Sequence, residues 1–316
     1  MDAEYQAPSV PPPKHGPAMG WIGSALLRWL SALALFVPLA AVASACTDAP
    51  LLLVHPKVTS VYEDAIAQLA QGLEEARRER VGVCAIDDLP KRPVPTEPKA
   101  VVAVGEKAVD AAAAVFRTPI VAVLVRDLPP GARRGLSLFI APDLFLRQLR
   151  ALSPETRTVR FVHRADAPSA VVDAAEAAAR ALGMRLVPQA VSTIREAALA
   201  VEMVLGQAEA GEAFWFHRGV LAMNPEILLP KIVRLSWERR VPVFDEEAEY
   251  VARGLLFALT HDYLELGRAA AAMIEDAATG IVFATQAKRI LNGRTARAIG
   301  IPPRVVQEQS FNYVYE

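Results

Sequence analysis

The stretch AVVAVGEKAVDAAAAVFRTPIVAVLV, residues 100–125, decides the fold. Ala100–Val104 is a continuous apolar run ended by Gly105, the pattern of a strand covered on both faces. Lys107–Phe116 is alanine-rich and reads as a helix. Thr118-Pro119 stops it, because a residue before proline is driven out of the α region. Ile120–Val125 is apolar again. Strand, helix and strand in one short stretch make a unit that must pair in parallel, since the helix carries the chain back.

The same unit recurs outward in both directions. Upstream, Leu51–His55 is an apolar run bounded by Pro50 and Pro56, and Val81–Ile86 is a second. Between them Tyr62, Ile66, Leu69 and Leu73 fall on one helical face. Downstream, strands are expected at Val159–Val162, Leu186–Val191, Phe214–Phe216 and Val241–Phe244. The helices between them announce their ends. Pro168-Ser169 opens one with Val172, Ala175, Ala179 and Leu182 inward, and Gly183 closes it. Thr193-Ile194-Arg195-Glu196 is a capping box. Asn224-Pro225 places a cap before a proline at the first helical position. Two such runs, joined near Gly135–Ser153, predict an α/β protein of two doubly wound parallel-sheet lobes with a ligand cleft between them. The division expected is 50–135 plus 250–280 for the first lobe, and 136–249 plus 281–316 for the second. Ligands of such sheets sit beyond the carboxyl ends of the strands.

Residues 1–20 are proline-rich and aperiodic and read as a disordered leader. Trp21–Ala45 is almost wholly apolar, and Ala43-Ser44-Ala45-Cys46 follows the run. Segment 21–46 thus reads as a signal peptide or lipoprotein signal, with Cys46 as the lipidation candidate, although Ala43 stands where a lipobox has leucine. The charges balance, 34 Lys and Arg against 35 Asp and Glu, so no basic face for nucleic acid is expected. The arginine pairs 77–78, 133–134 and 239–240 read as solvated helix ends and turns. Cys84 lies in an apolar run and reads as a buried small residue, with a disulfide to Cys46 left open.

The search for chemistry finds no G-x-S-x-G, no P-loop, no G-x-G-x-x-G and no cysteine or histidine set with zinc spacing. Neither an enzyme nor a bound cofactor is expected. His55, His163 and His217 each follow an apolar strand, where a polar group can point into a cleft. Asp87-Asp88 and Asp245-Glu246-Glu247 follow strands too. Neighbours on extended chain point apart, so these read as solvated loop acids, with one member of the second group able to reach the cleft. Trp215 reads as half core, half pocket rim.

Two further stretches carry a resemblance. Pro242-Val243-Phe244-Asp245 runs on to His261-Asp262-Tyr263-Leu264-Glu265-Leu266-Gly267-Arg268. Leu291-Asn292-Gly293-Arg294-Thr295-Ala296 leads to Gly300-Ile301-Pro302. Together with Val102–Gly105, Thr118–Val121 and Gly135-Leu136-Ser137, they resemble the ABC transporter substrate-binding proteins that include tryptophan- and tyrosine-type binders, over roughly residues 50–304. The resemblance implies a periplasmic-binding-protein type I fold, capture of a small solute by lobe closure, and delivery to an inner-membrane ABC permease from outside the cytoplasm. The candidate ligand residues are His55, Ser60, Tyr62, Gly105, Glu106, Ser137, His163, His217, Arg218 and Asp245. The family often carries an acid shortly after the strand at Phe214–Phe216; here the chain reads His217-Arg218-Gly219-Val220. Leu138-Phe139 is apolar where the family is commonly polar. Lys57, His217 and Arg218 favour an anionic or neutral ligand over a zwitterionic amino acid. Two other readings stay open: an exported interaction or sensory domain with a degenerate solute site, and an enzyme using the strand-end histidines.

Overall fold

The structure, a computed structural model, describes residues 48–90 and 97–316. The expected leader, the apolar segment 21–46 and Cys46 lie outside the described residues. Those described belong to one compact unit of the chain, Val42–Glu316.

In chain order the elements begin with β1 (Leu51–His55), α1 (Ser60–Arg77), β2 (Val81–Ala85), β3 (Ala100–Val104), α2 (Glu106–Val115), β4 (Ile120–Val125), β5 (Arg134–Ile140) and α3 (Pro142–Leu152). Next come β6 (Thr158–Arg164), α4 (Ser169–Ala181), β7 (Arg185–Val191), α5 (Ile194–Ala200), β8 (Glu212–Phe216), α6 (Pro225–Arg239) and β9 (Val243–Asp245). Then follow α7 (Ala248–Ala252), β10 (Phe257–His261), α8 (Tyr263–Glu275), β11 (Gly280–Ala284), β12 (Ala287–Asn292), α9 (Gly293–Ala298), α10 (Pro303–Gln307) and β13 (Tyr313–Tyr315).

The strands form two sheets. The first has the order β11-β5-β4-β3-β1-β2 and is parallel throughout. Its apolar runs are continuous because both faces are covered. Leu53, Val102 and Val121 pack under α1 and α8, while Leu52, Val54, Val101 and Ala103 pack under α2. Burying each such side chain stabilises by about 1.5–3 kcal/mol. On α1, Ile66, Leu69 and Leu73 are buried as their spacing predicts. Tyr62 is not: it sits in the first turn and is 57% exposed.

The second sheet has the order β13-β12-β10-β9-β8-β6-β7, parallel except where β10 meets β12. Phe161, Trp215, Phe244 and Phe257 line up in register across four neighbouring strands. Their rings touch in sequence, with centroids 4.6, 5.7 and 4.5 Å apart. This ladder, roofed by Phe145 of α3, is the centre of the second core. Trp215 is therefore wholly core and lines no rim.

The caps form at the residues read, except that Glu196 returns its carboxylate to the Ser192 amide at 2.7 Å and not to that of Thr193. Thr193 Oγ1 accepts from the Glu196 amide at 3.2 Å, Asn224 Oδ1 accepts from Ile227, and Gly183 follows α4 at φ +67°. Arg78 and Arg240 end α1 and α6 in the left-handed region.

The expected division of the chain is redrawn by strand pairing. Residues 136–140, expected beyond the boundary, complete β5 in the first sheet. Phe257–His261, expected with the first lobe, pairs with β9 and β12 in the second sheet. Residues 281–284 return to the first sheet beside β5. The chain thus passes between sheets after Ile140, at Asp262 and at Thr285-Gln286. The passages are knitted together: Ala141 N–H donates to Ala284 at 2.8 Å, and Asp262 N–H donates to Gln286 at 3.0 Å.

This geometry accounts for the recurrent motifs as fold devices. Asp262 caps α8, accepting from Glu265 N–H. Gly267 lets α8 lie against α1 where a methyl group would meet the Leu69 carbonyl and Gly72 Cα. Arg268 pairs with Glu75 of α1 at 2.6 Å. Asn292 caps α9 and donates to the Val251 carbonyl at 2.7 Å, and Thr295 Oγ1 donates to Gly254.

Candidate functional site

The carboxyl ends of the two sheets meet. Arg126, just past β4, donates to the Asp166 carbonyl just past β6, and its guanidinium lies 3.7 Å from the Asp166 carboxylate. Phe139 near the end of β5 stacks on the His217 ring, centroids 5.2 Å apart. The Leu138 carbonyl accepts from His261 Nε2 at 2.9 Å.

Side chains alternate along a strand, so the residue two beyond each aromatic of the ladder points the same way. From Phe161 that residue is His163, from Trp215 it is His217, and from Phe244 it is Glu246. His261 stands two past Leu259 on β10. A polar row therefore replaces the aromatic ladder at the strand ends. His217 is 2% exposed and Glu246 is 1% exposed. His217 Nε2 lies 3.3 Å from Glu246 Oε1, and Arg218 Nε donates to Glu246 Oε2 at 3.0 Å. Arg218 also reaches Glu247 at 3.3 Å, and its backbone N–H donates to Glu246.

Burial sets most of the protonation states here. It pushes the pKa of His217 down despite Glu246, and that of His261 down to about 4. Burial opposes the charge on Glu246 as well, but His217 and Arg218 outweigh it and hold that carboxyl below its usual range. Asp245 is pushed well up, by burial first and by its acidic neighbours second.

Several expectations change. Asp245 and Glu246 are buried, not solvated loop acids. Asp245 shares the sheet face of Val243, opposite the row, and its Oδ1 accepts the Glu246 and Glu247 amides at 2.5 and 2.9 Å. It shapes the turn that aims Glu246. Ser137 is buried with its Oγ turned to the Phe139 amide at 3.0 Å. Glu106 accepts from the Arg126 amide at 2.7 Å, so with Gly105 it belongs to the β3–α2 junction that holds Arg126. His55 turns to its neighbouring Pro56 carbonyl, and Ser60 is exposed at the start of α1. The row thus unites His163, His217 and Arg218, and leaves His55 and Ser60 in local roles. Glu246 and His261 are missing from the expected ligand set, although counting by twos from Phe244 and Leu259 places both. Asp87 and Asp88 are exposed as read. Cys84 is buried and is not a free cysteine.

Among the described residues no group of three or more His, Cys, Asp or Glu side chains is placed to share a metal ion. No helix of theirs is long and apolar enough to cross a membrane. Surface cavities of about 420 and 330 Å³ lie beside Trp237 and beside Leu152, away from the row.

The sequence profile described as ABC transporter substrate binding protein matches residues 143–301, half of the chain. The chain belongs to this family. The match starts with α3 and takes in β6–β12, hence the whole polar row. No protein of curated function shows significant sequence similarity to this family member. Among solved structures it is similar to the ligand-free, open form of CD0873, a substrate binding protein with adhesive properties from Clostridium difficile. There the TM-score is 0.60 at 15% identity, over 84% of this chain and 98% of that one. An ABC domain in complex with L-Trp from Streptococcus pneumonia gives 0.51 at 16% identity, over 84% and 99%. A conserved domain protein from Vibrio cholerae gives 0.51 at 17%, over the same shares. These likenesses establish the fold: two parallel-dominated α/β sheets of the periplasmic-binding-protein type I kind.

Proposed function

We propose that this chain is the extracytoplasmic solute-binding component of an ABC importer, holding a small molecule between the facing strand ends and passing it to an inner-membrane permease. The observation that carries the reading is the polar row itself. A sheet end is a cheap place to expose polar groups to water, yet here His217, Glu246 and His261 are buried where the other sheet's strand ends arrive. Buried polar groups are costly unless partnered, and Nδ1 of His217 and of His261 has no partner in the protein, which favours a ligand at the row.

Function in this reading needs no covalent step. The three passages after Ile140, at Asp262 and at Thr285-Gln286 act as hinges, and a ligand favours the closed form by its differential affinity for it. The lobes are then 50–140 with 262–285, and 141–261 with 286–316. Segment 21–46 serves export.

The test is native mass spectrometry of the protein recovered from an exporting bacterial host, paired with small-angle scattering. A solute bound one per chain, whose removal expands the particle and whose return contracts it, is the expected result. A protein that carries no solute and keeps one radius of gyration through a broad solute panel would be an interaction or sensory domain instead.

A further inference from the structure

Three histidines stand at the strand ends of the second sheet, and each has a partner that fixes its tautomer. His261 Nε2 faces the Leu138 carbonyl, which can only accept, so Nε2 carries the proton. His217 Nε2 faces the Glu246 carboxylate and carries its proton for the same reason. His163 Nδ1 lies 2.9 Å from the Arg164 carbonyl and is the protonated nitrogen of that ring. A neutral imidazole with one N–H bears a lone pair on the other nitrogen. The row therefore presents three acceptors: Nδ1 of His217, Nδ1 of His261 and Nε2 of His163. The first two are fully buried and have no hydrogen-bond partner in the protein.

The charged groups around them are already engaged. Arg218 is held by Glu246 and Glu247. Arg126 and Arg164 share Asp166. A ligand carboxylate or phosphate brings only acceptors to these lone pairs and finds Arg218 already held by two carboxylates. Lys57, on the loop after β1, and Lys107, in the first turn of α2, are exposed at this end of the first sheet.

We propose that the strand-end site takes an uncharged ligand rich in hydrogen-bond donors, with O–H or N–H groups for the three imidazole lone pairs, and excludes free amino acids and organic anions. The inference rests on the solute-binding reading above. Phe139 stacks on the His217 ring, whereas the Leu138 carbonyl engages Nε2 of His261 and not its unpaired Nδ1. Admission of a ligand to His217 Nδ1 therefore requires the Phe139 ring to move aside as the halves part.

The experiment is a thermal-shift and calorimetric screen of the full chain with five separate arms. They are monosaccharides and cyclitols; neutral nucleobases and nucleosides; the common L-amino acids; di- and tricarboxylates with phosphate; and Zn²⁺ alone. Binding is expected in one of the first two arms, which also tells hydroxyl donors from amide-type donors. His217→Phe and His261→Phe each remove an acceptor and weaken that binding about tenfold. Should either variant fail to fold, the ¹⁵N resonances of the unprotonated imidazole nitrogens in the unaltered protein serve instead, and ligand addition moves them. Binding confined to amino acids, carboxylates, phosphate or zinc overturns the donor-rich assignment and leaves the solute-binding reading standing. Silence in all five arms overturns that reading and this inference with it.

Discussion

His217 Nε2 lies 3.3 Å from Glu246 Oε1, on a carboxylate that Arg218 grips from the other side at 3.0 Å. Strand register explains the meeting: Trp215 pairs with Phe244, so the residues two further on come abreast. The acid missing from the chain after Phe216 is thus supplied from the neighbouring strand. Removing one partner of a buried pair leaves the other charge uncompensated. Glu246→Gln, which keeps the volume and one acceptor, is expected to destabilise the protein by about 2–3 kcal/mol in urea unfolding at pH 7. A double-mutant cycle with Arg218→Met is expected to give a coupling above about 1 kcal/mol. Additive single effects would show that the pair is incidental.

His261 supplies a pH dependence whose sign follows from its environment. Burial lowers its pKa from 6.5 to about 4 in the folded protein, so between those values the unfolded chain binds the extra proton. The stabilisation is complete above pH 6.5 and is lost as pH falls toward 4. From pH 7.5 to 5.0 this one group removes about 2 kcal/mol. Asp245, whose pKa is raised, has the opposite sign: its contribution is present at low pH and fades as pH rises. The informative quantity is therefore the difference between the unaltered protein and His261→Gln across that range. A variant with the same pH slope as its parent would remove His261 from the account.

Much of this architecture could be read along the chain because buried parallel strands write themselves as unbroken apolar runs. β1, β3 and β4 are of this kind. β5 is harder to see, since Gly135 and Ser137 interrupt its pattern and Pro142 follows at once. The assignment of β10 to a sheet was not readable at all, because Phe257–His261 could pair on either side and only tertiary register decides. At the site, His163 and His217 stood out as polar residues ending apolar strands. Glu246 did not: acids after a strand are ordinarily solvated, and its burial depends on Arg218, twenty-eight residues away in the chain and adjacent only in space. Tyr62 shares the helical phase of Ile66 and Leu69 but lies beyond the part of α1 that the sheet covers.

Asn292 joins three segments through one amide. Its Oδ1 caps α9 at the Thr295 N–H, 2.9 Å away, and its Nδ2 donates to the Val251 carbonyl. All of this is buried, so water cannot replace either bond. Asn292→Ala is expected to cost about 2–3 kcal/mol, one buried donor and one buried acceptor being left unpaired. Asn292→Asp keeps the cap but loses the donor and sets a carboxylate against the Val251 carbonyl, so it is expected to remain destabilised. Full recovery in Asn292→Asp, measured by chemical denaturation, would reduce the residue to a cap alone.

Gly267 gives the sharpest steric prediction. Replacing a helix-interior glycine by alanine ordinarily stabilises a protein by about 0.8–1 kcal/mol. Here the added Cβ would lie 3.1 Å from Gly72 Cα and press on the Leu69 carbonyl, both backbone atoms that no rotamer change can move. α8 would have to back away from α1, opening the layer in which Leu69, Leu73 and Leu266 are buried. Gly267→Ala is accordingly expected to destabilise by about 2 kcal/mol net, the overpacking cost exceeding the propensity gain. Gly72→Ala, which meets the Leu264 carbonyl in the same contact, should behave alike. The double variant should lose less than the two singles combined, because one displacement makes room for both methyl groups. Thermal unfolding of the three variants tests this, and a Gly267→Ala protein as stable as its parent would mean that the two helices are not held at contact distance.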